Sequence, residues 1–578
     1  MEIIKKIKED KLMSSLFILI IFLGLFLRFN DFSETPFWND DLSTVPSGIL
    51  WFYPHSYFPG LSGNSEPPLG NMAIGLGCIT SKEDFSGVSQ IQPGFYPGRP
   101  ALIGKPMINS ELNCHIPVLI FGLLFFIAVI LLALTMFDKY SALYIISFYS
   151  FFPEILRYSR WIHVDMLQWA FITFGLLFLY KAFIEEKYSK KETIFFILSF
   201  SSFALALATK LTSAPFFVFG AFILCMKYKD ELNSLAKKAF YLVSKEKLRE
   251  DLNENIKKEK RFMIISVSSI ILSLFLLLLP FKLSPKNFFE MYKLIRTVHN
   301  PYNNGISFHN PITQISIFLS NFNIFDVILF FLSLFILYKL IMKKRDSQEN
   351  FILYLIVFYL ISVLLFNALE LYRLTVPFFF GIIFLISLLF SEKDYSLINF
   401  IGKSKKRIIF IVLILIYSSF SFYIAFAGSP SFLQENPLEC TFNKGCPNKG
   451  EALQLYSTKI IADELNNLLE ENETFFPGSG VLYYYIRQED DSQIFLFETD
   501  FRRQTGKSPG IADYLTYYRP NGRFPRYLIL NPYSNEKFGE QERLIKERIE
   551  PTLIVKNKDK DIVYIYDVLK FIVVQNER

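Results

Sequence analysis

Residues 116–137, IPVLIFGLLFFIAVILLALTMF, carry no charge and, as a helix, are long enough to cross a hydrocarbon layer of roughly 30 Å. In such a layer every backbone amide must be bonded within the protein, so a run like this restricts the chain to a bundle of helices. Similar runs recur at 12–28, 140–157, 161–183, 193–209, 211–227, 262–281, 323–342, 351–369, 373–391 and 408–427, which predicts about eleven membrane helices. Hydrophobic residues make up 52% of the 578-residue chain and the mean hydropathy is +0.31, with the apolar residues concentrated in these runs.

The first run has no small-residue cleavage site after LFLRFNDF and reads as a retained helix rather than a signal peptide. Lys and Arg gather at the N-terminus, in 227–261, at 342–345 and at 403–407. With eleven crossings these segments share one side, which the positive-inside rule makes cytoplasmic. The loop 29–113 holds more acids than bases and falls outside, as does the tail 428–578. This topology accounts for the net charge of +6 without a nucleic-acid partner. It describes a multi-pass membrane protein with a cytoplasmic N-terminus.

The chain divides into a membrane domain, 1–427, and an extracytoplasmic α/β domain, 428–578. Within the first, PPLGNMAIGLGCI at 67–79 reads as an amphipathic helix on the membrane surface, and 227–261 as a surface helix at the inner leaflet. In the tail, 451–469 has helical periodicity. VLYYYI, QIFLFE, RYLILN, TLIVKN and DIVYIYDVL read as strands, with helical stretches at 510–518 and 540–550. Cys78, Cys114, Cys440 and Cys446 lie on the disulfide-permitting side, and the short Cys440–Cys446 loop is the favoured bridge. Cys225 reads as a small apolar residue.

Charged residues at helix ends carry the functional information, because each is costly near a bilayer. Asp40 and Asp41 follow Trp38 just beyond the first helix. Glu154, Arg157, Arg160, His163 and Asp165 gather where the third helix turns into the fourth. Lys210 interrupts the turn between the fifth and sixth helices, Glu370 and Arg373 that between the ninth and tenth, and His299 and His309 lie in another loop. All share the outer face. Solvated helix ends, or a cap for a helix starting at DDLSTV, are the plain alternatives. Carboxylates and cations gathered there, with no nucleotide-binding loop in the sequence, suit sugar transfer from a lipid phosphate. Cations would neutralise the leaving phosphate, and a carboxylate would take the acceptor's proton.

Five segments in order then resemble the C-type (GT-C) glycosyltransferases, in particular the protein O-mannosyltransferases and aminoarabinose transferases. WNDD resembles their paired-acid motif, and EPPLGNMAIGLG the mannosyltransferase HPPLGK stretch. RYSRWIHVDMLQW is similar to their Arg-then-Asp pattern, ALATKLTSA to their Lys-containing turn, and LYRLTVP to their Arg-Tyr-Pro segment. Glu66 and Asn71 depart from the His and Lys of HPPLGK.

The resemblance implies an inverting transferase of a prokaryotic cell membrane that uses a polyprenyl (dolichyl-type) phosphate sugar and an extracytoplasmic protein, glycan or lipid acceptor. Asp40 would be the base, with Asp41 and Asp165 positioning substrate or a divalent metal ion. Arg373 and Lys210, then Arg157 and Arg160, would bind the donor phosphate. Trp38, Glu66, His163, His299 and His309 would contact donor or acceptor. A flippase or other transporter of lipid-linked sugars is the alternative, although transporters place their polar groups nearer the midplane.

Overall fold

The computed structural model describes residues 10–29, 41–52, 68–80, 91–93, 100–102, 111–159, 162–244, 256–290, 323–342, 344–365, 379–392, 403–427, 458–470, 473–476, 524–530, 547–557 and 560–570. Its helices are α1 Lys11–Phe29, α2 Asp41–Phe52, α3 Pro68–Ile79, α4 Glu111–Met136, α5 Lys139–Phe151, α6 Pro153–Tyr158, α7 Asp165–Ile184, α8 Lys190–Thr209, α9 Ala214–Lys227, α10 Lys229–Ser244, α11 Ile256–Leu278, α12 Ile324–Met342, α13 Ser347–Leu365, α14 Phe379–Ser387, α15 Lys403–Ala427 and α16 Thr458–Leu468. A short hairpin, β1 Ile91–Pro93 with β2 Pro100–Leu102, lies between α3 and α4.

Among the described residues seven helices are long and apolar enough to cross a membrane, or eight if a bent pair is counted as one span. The chain is a multi-pass membrane protein. The seven include α1, α7, α8, α12 and most of α4, α11 and α15; the bent pair runs from Leu211 through α9 into α10. The other predicted spans take different forms. The 140–157 run is broken before Pro153 into α5 and the six-residue α6, since proline lacks the amide that would continue the helix. The 351–369 run begins inside α13, and the 373–391 run contains α14 and a 3-10 turn, Leu388–Phe390.

Helix α5 is the centre of one half of the bundle: every residue from Tyr140 to Phe151 is buried, against α1, α4, α14 and α15. Asp138 starts it by accepting from the amides of Tyr140 (3.2 Å) and Ser141 (3.1 Å), and its other oxygen holds Ser391 beyond α14. The other half is α7 and α8 packed antiparallel, flanked by α4 and α11. Gly175 of α7 lets the ring of Phe203 from α8 approach, since a Cβ there would lie 2.3 Å from that ring.

At the Ile184 end of α7, Glu192 is fully buried. It meets Lys227 Nζ at 2.8 Å and the Tyr228 hydroxyl at 2.8 Å. Lys227 also donates to the carbonyls of Ala182 (2.5 Å) and Glu185 (2.7 Å). These contacts fasten the junction where the chain turns by 83° into α10. Of the 227–261 stretch expected as one surface helix, 229–244 form α10, 245–255 lie outside the described residues and 256–261 open α11.

Helix α3 departs from the expected surface placement. Gly70, Asn71, Ile74, Gly75 and Cys78 are buried, and the helix is wedged among α2, α4 and α8. Its small residues allow this: a Cβ on Gly75 would lie 2.1 Å from the Gly48 carbonyl carbon of α2, and one on Gly77 would lie 2.5 Å from Pro117 Cγ of α4. Cys78 and Cys114 form a disulfide between α3 and α4, whereas Cys440 and Cys446 lie outside the described residues. Cys225 is free and exposed.

In the tail, α16 precedes a four-stranded sheet of order β3-β4-β6-β5, with β3 Glu473–Phe476, β4 Phe524–Leu530, β5 Leu553–Asn557 and β6 Lys560–Asp567. β3 and β4 are parallel; the other pairs are antiparallel. The last three strands coincide with the predicted ones, while VLYYYI, QIFLFE and the 510–518 helix lie outside the described residues. Arg526 bridges the neighbouring strands, pairing with Glu473 and, at 3.2 Å, with Asp567. The Glu473 carboxylate, with support from Asp567, raises its pKa well above the ordinary value.

Candidate active site

The end of the bundle opposite Glu192 is where α7 begins, α8 ends and α9 begins. Lys210 has an extended backbone (φ −158°, ψ 130°) between α8 and the 3-10 turn Leu211–Ser213. Its amide completes the last helical bond, to Ala206 (2.8 Å), and its side chain turns back towards the head of α7. There Lys210 Nζ lies 2.6 Å from Asp165 Oδ1. The other carboxylate oxygen lies 2.6 Å from His163 Nδ1. Asp165 is fully buried, His163 is 3% exposed and Lys210 6% exposed. The Lys210 ammonium, the His163 ring and the amide end of α7 surround the Asp165 carboxylate.

His163 Nδ1 lies against both the carboxylate and the amide of Asp165, and accepts from that amide at 3.4 Å. Tyr158 packs edge-on against both His163 and Trp169 and closes the cluster on its apolar side.

One turn along α7, Gln168 donates to Thr212 Oγ1 and Ser213 Oγ, both at 2.8 Å. This ties the turn after Lys210 to the helix that carries Asp165. The sequence reading missed Gln168, Thr212 and Ser213. Their signals were the i+3 spacing from Asp165, which puts Gln168 on the same helix face, and the hydroxyls directly after Lys210. It also missed Arg28, fully buried at the end of α1. Arg28 donates to the carbonyls of Gly24 (2.8 Å) and Tyr149 (2.9 Å) and lies over the ring of Phe126.

The first turn of α3 abuts the Asp165–Lys210 pair. A Cβ on Gly70 would stand 2.5 Å from Val164 Cγ1 and 3.1 Å from Thr209 Cγ2, the residues directly before Asp165 and Lys210. Helix α2 packs on the other side of α3, and Trp51 near its end donates to the Pro280 carbonyl (3.2 Å) beyond α11. Of the residues singled out from sequence, Asp165, Lys210 and His163 are therefore brought together. Asp41 is the first residue of α2, and Glu154 and Arg157 belong to α6. Trp38, Asp40, Glu66, Arg160, His299, His309, Glu370 and Arg373 lie outside the described residues.

As for a divalent metal, no group of three or more His, Cys, Asp or Glu side chains gathers among the described residues. Asp165 lies 2.6 Å from the Lys210 ammonium, a neighbour that suits a paired carboxylate better than a cation ligand.

Residues 64–289, which contain this cluster, match the family model described as dolichyl-phosphate-mannose-protein mannosyltransferase. By that match the chain is a membrane glycosyltransferase in class. Among solved structures, it is similar to ArnT from Cupriavidus metallidurans bound to undecaprenyl phosphate, with 11% identity over 96% of this chain and 98% of that one and a TM-score of 0.47. The apo state of the same ArnT gives 12% identity over the same shares, with a TM-score of 0.44. AglB from Archaeoglobus fulgidus, in complex with an inhibitory peptide and a dolichol-phosphate, gives 14% identity over 90% of this chain and 69% of that one, with a TM-score of 0.42. No curated protein matches the chain in sequence.

Proposed function

We propose that the chain is an inverting glycosyltransferase that moves a sugar from a polyprenyl phosphate to an extracytoplasmic acceptor. The observation that carries this reading is the buried Asp165–Lys210 pair at the head of α7, inside the segment that matches a family described by a lipid-phosphate sugar. The charge lies at helix ends, where a lipid's head group would meet the protein, and the lipid tail would remain in the bilayer.

In this reading Asp40 accepts the proton of the acceptor hydroxyl as its oxygen attacks the anomeric carbon. The bond from that carbon to the lipid phosphate breaks on the opposite face, and its electron pair leaves with the phosphate. Lys210 and Arg373 stabilise the charge that accumulates there, with Arg157 and Arg160 in support. Asp165 engages one of the three N–H donors of Lys210 and so orients the ammonium. Asp41 positions the acceptor, and Trp38, Glu66, His163, His299 and His309 contact donor or acceptor. The site faces outward, with the N-terminus cytoplasmic and 428–578 a separate extracytoplasmic domain in a prokaryotic membrane. The acceptor is a protein hydroxyl, a glycan or a lipid.

Purified protein titrated with polyprenyl phosphate mannose tests the donor assignment. Lys210→Met and Arg373→Ala should each weaken binding by about tenfold or more, the loss of one charge-assisted hydrogen bond. Wild-type affinity in both folded variants would refute it.

A further inference from the structure

A buried amide with an unbonded oxygen stands in the first turn of α3. Asn71 is 3% exposed, and its Oδ1 is enclosed with no hydrogen-bond partner among the described residues. Buried acceptors in folded proteins are nearly always bonded, so this one requires a reason. Its surroundings offer one. The neighbouring Gly70 rests on Val164 and Thr209, the residues that precede Asp165 and Lys210. The Asn71 backbone carbonyl is pressed against α2, where a Cβ on Gly48 would lie 2.1 Å from it. Helix α2 begins with Asp41. The first turn of α3 thus touches Gly48 of α2 through Asn71 and the residues before Asp165 and Lys210 through Gly70.

We propose that Asn71 recognises a hydroxyl group of a sugar handled at this site, an inference that rests on the glycosyltransferase reading above. A primary amide presents an acceptor and two donors side by side. A hydroxyl both donates and accepts, and so answers both halves of the amide. A phosphate oxygen only accepts and an ammonium only donates, so neither satisfies Oδ1 and Nδ2 together. Recognition of phosphate falls to the cations; the amide reads the neutral part of a substrate. That hydroxyl belongs either to the sugar on the donor lipid or to a glycan acceptor, and one set of measurements separates the two.

Wild-type protein and Asn71→Leu, reconstituted in nanodiscs, are titrated with polyprenyl phosphate mannose and with bare polyprenyl phosphate. If Asn71 reads the donor sugar, the substitution weakens the mannose-bearing lipid by about tenfold and the bare lipid by less than about twofold. If it reads the acceptor, both lipids bind as before and the KM for methyl mannoside as acceptor rises by about tenfold with kcat little changed. Asn71→Ala, which adds neither bulk nor charge, removes both halves of the amide; it should show the same selective loss and serves where Asn71→Leu does not fold. Equal weakening of both lipids, or no change in any of the three constants, overturns the assignment while leaving the glycosyltransferase reading intact. A wild-type protein that binds neither lipid overturns both.

Discussion

Lys210 Nζ lies 2.6 Å from Asp165 Oδ1 across two helix ends that are 45 residues apart in sequence. Both side chains are buried. Removing one partner from such a pair strands the other charge, which typically destabilises a fold by about 3–5 kcal/mol, whereas removing both does not. Asp165→Asn and Lys210→Met should therefore each lower the unfolding temperature in detergent. The double variant should be more stable than the sum of the two losses. Additive losses in this double-mutant cycle would show that the two side chains do not depend on each other.

The disulfide between Cys78 and Cys114 closes a separation of 36 residues and fastens α3 to α4. Cross-links of this kind stabilise by about 2–4 kcal/mol, chiefly by restricting the unfolded chain. Cys78→Ala with Cys114→Ala should lower the unfolding temperature, and mass spectrometry of a non-reduced digest should recover the linked peptides from the wild type. Recovery of both cysteines as free thiols would remove the link.

Asp10, just before α1, lies 3.1 Å from Lys139 Nζ and 3.5 Å from Arg407. Partial burial raises its pKa, but hydrogen bonds from Lys139 and the Met13 amide, with the two cations, outweigh this and hold it below the ordinary 3.8. The folded carboxyl gives up its proton more readily than the unfolded one. Its stabilising contribution is therefore complete above the unfolded value and is lost as pH falls through the lower, folded value. The gap in unfolding temperature between wild type and Asp10→Asn should be constant from neutral pH to about 5 and close as pH falls below about 4. A gap that widens on acidification would reverse the sign assigned to this group.

Much of the bundle was legible because hydrocarbon imposes a single rule on the backbone, and uncharged runs such as 116–137 obey it visibly. The head of α7 was legible for a related reason: Asp165 and Lys210 interrupt apolar sequence where a charge needs a partner. What escaped depends on neighbours distant in the chain. Nothing local in PPLGNMAIGLGCI says that Gly48 will meet Gly75, so a helix that is buried on several sides read as a surface helix. Glu473–Phe476 was missed as a strand because only four residues pair, and β4, which supplies the pairing, lies about fifty residues on. The 83° turn after Lys227 follows from Glu192 gathering Lys227 and Tyr228, a contact between elements rather than a pattern within one.

In the proposed reaction the bond between a sugar and its lipid phosphate breaks, and the intact lipid is not carried across the membrane. Proteoliposomes containing the purified chain, loaded with radiolabelled polyprenyl phosphate mannose and supplied with a hydroxyl-bearing peptide and methyl mannoside, measure this directly. The expected result is release of bare polyprenyl phosphate in step with the appearance of label on an acceptor in the opposite anomeric configuration, and a loss of about 100-fold or more in Asp40→Asn. Intact lipid-linked mannose appearing on the opposite leaflet, with no polyprenyl phosphate released, would contradict it.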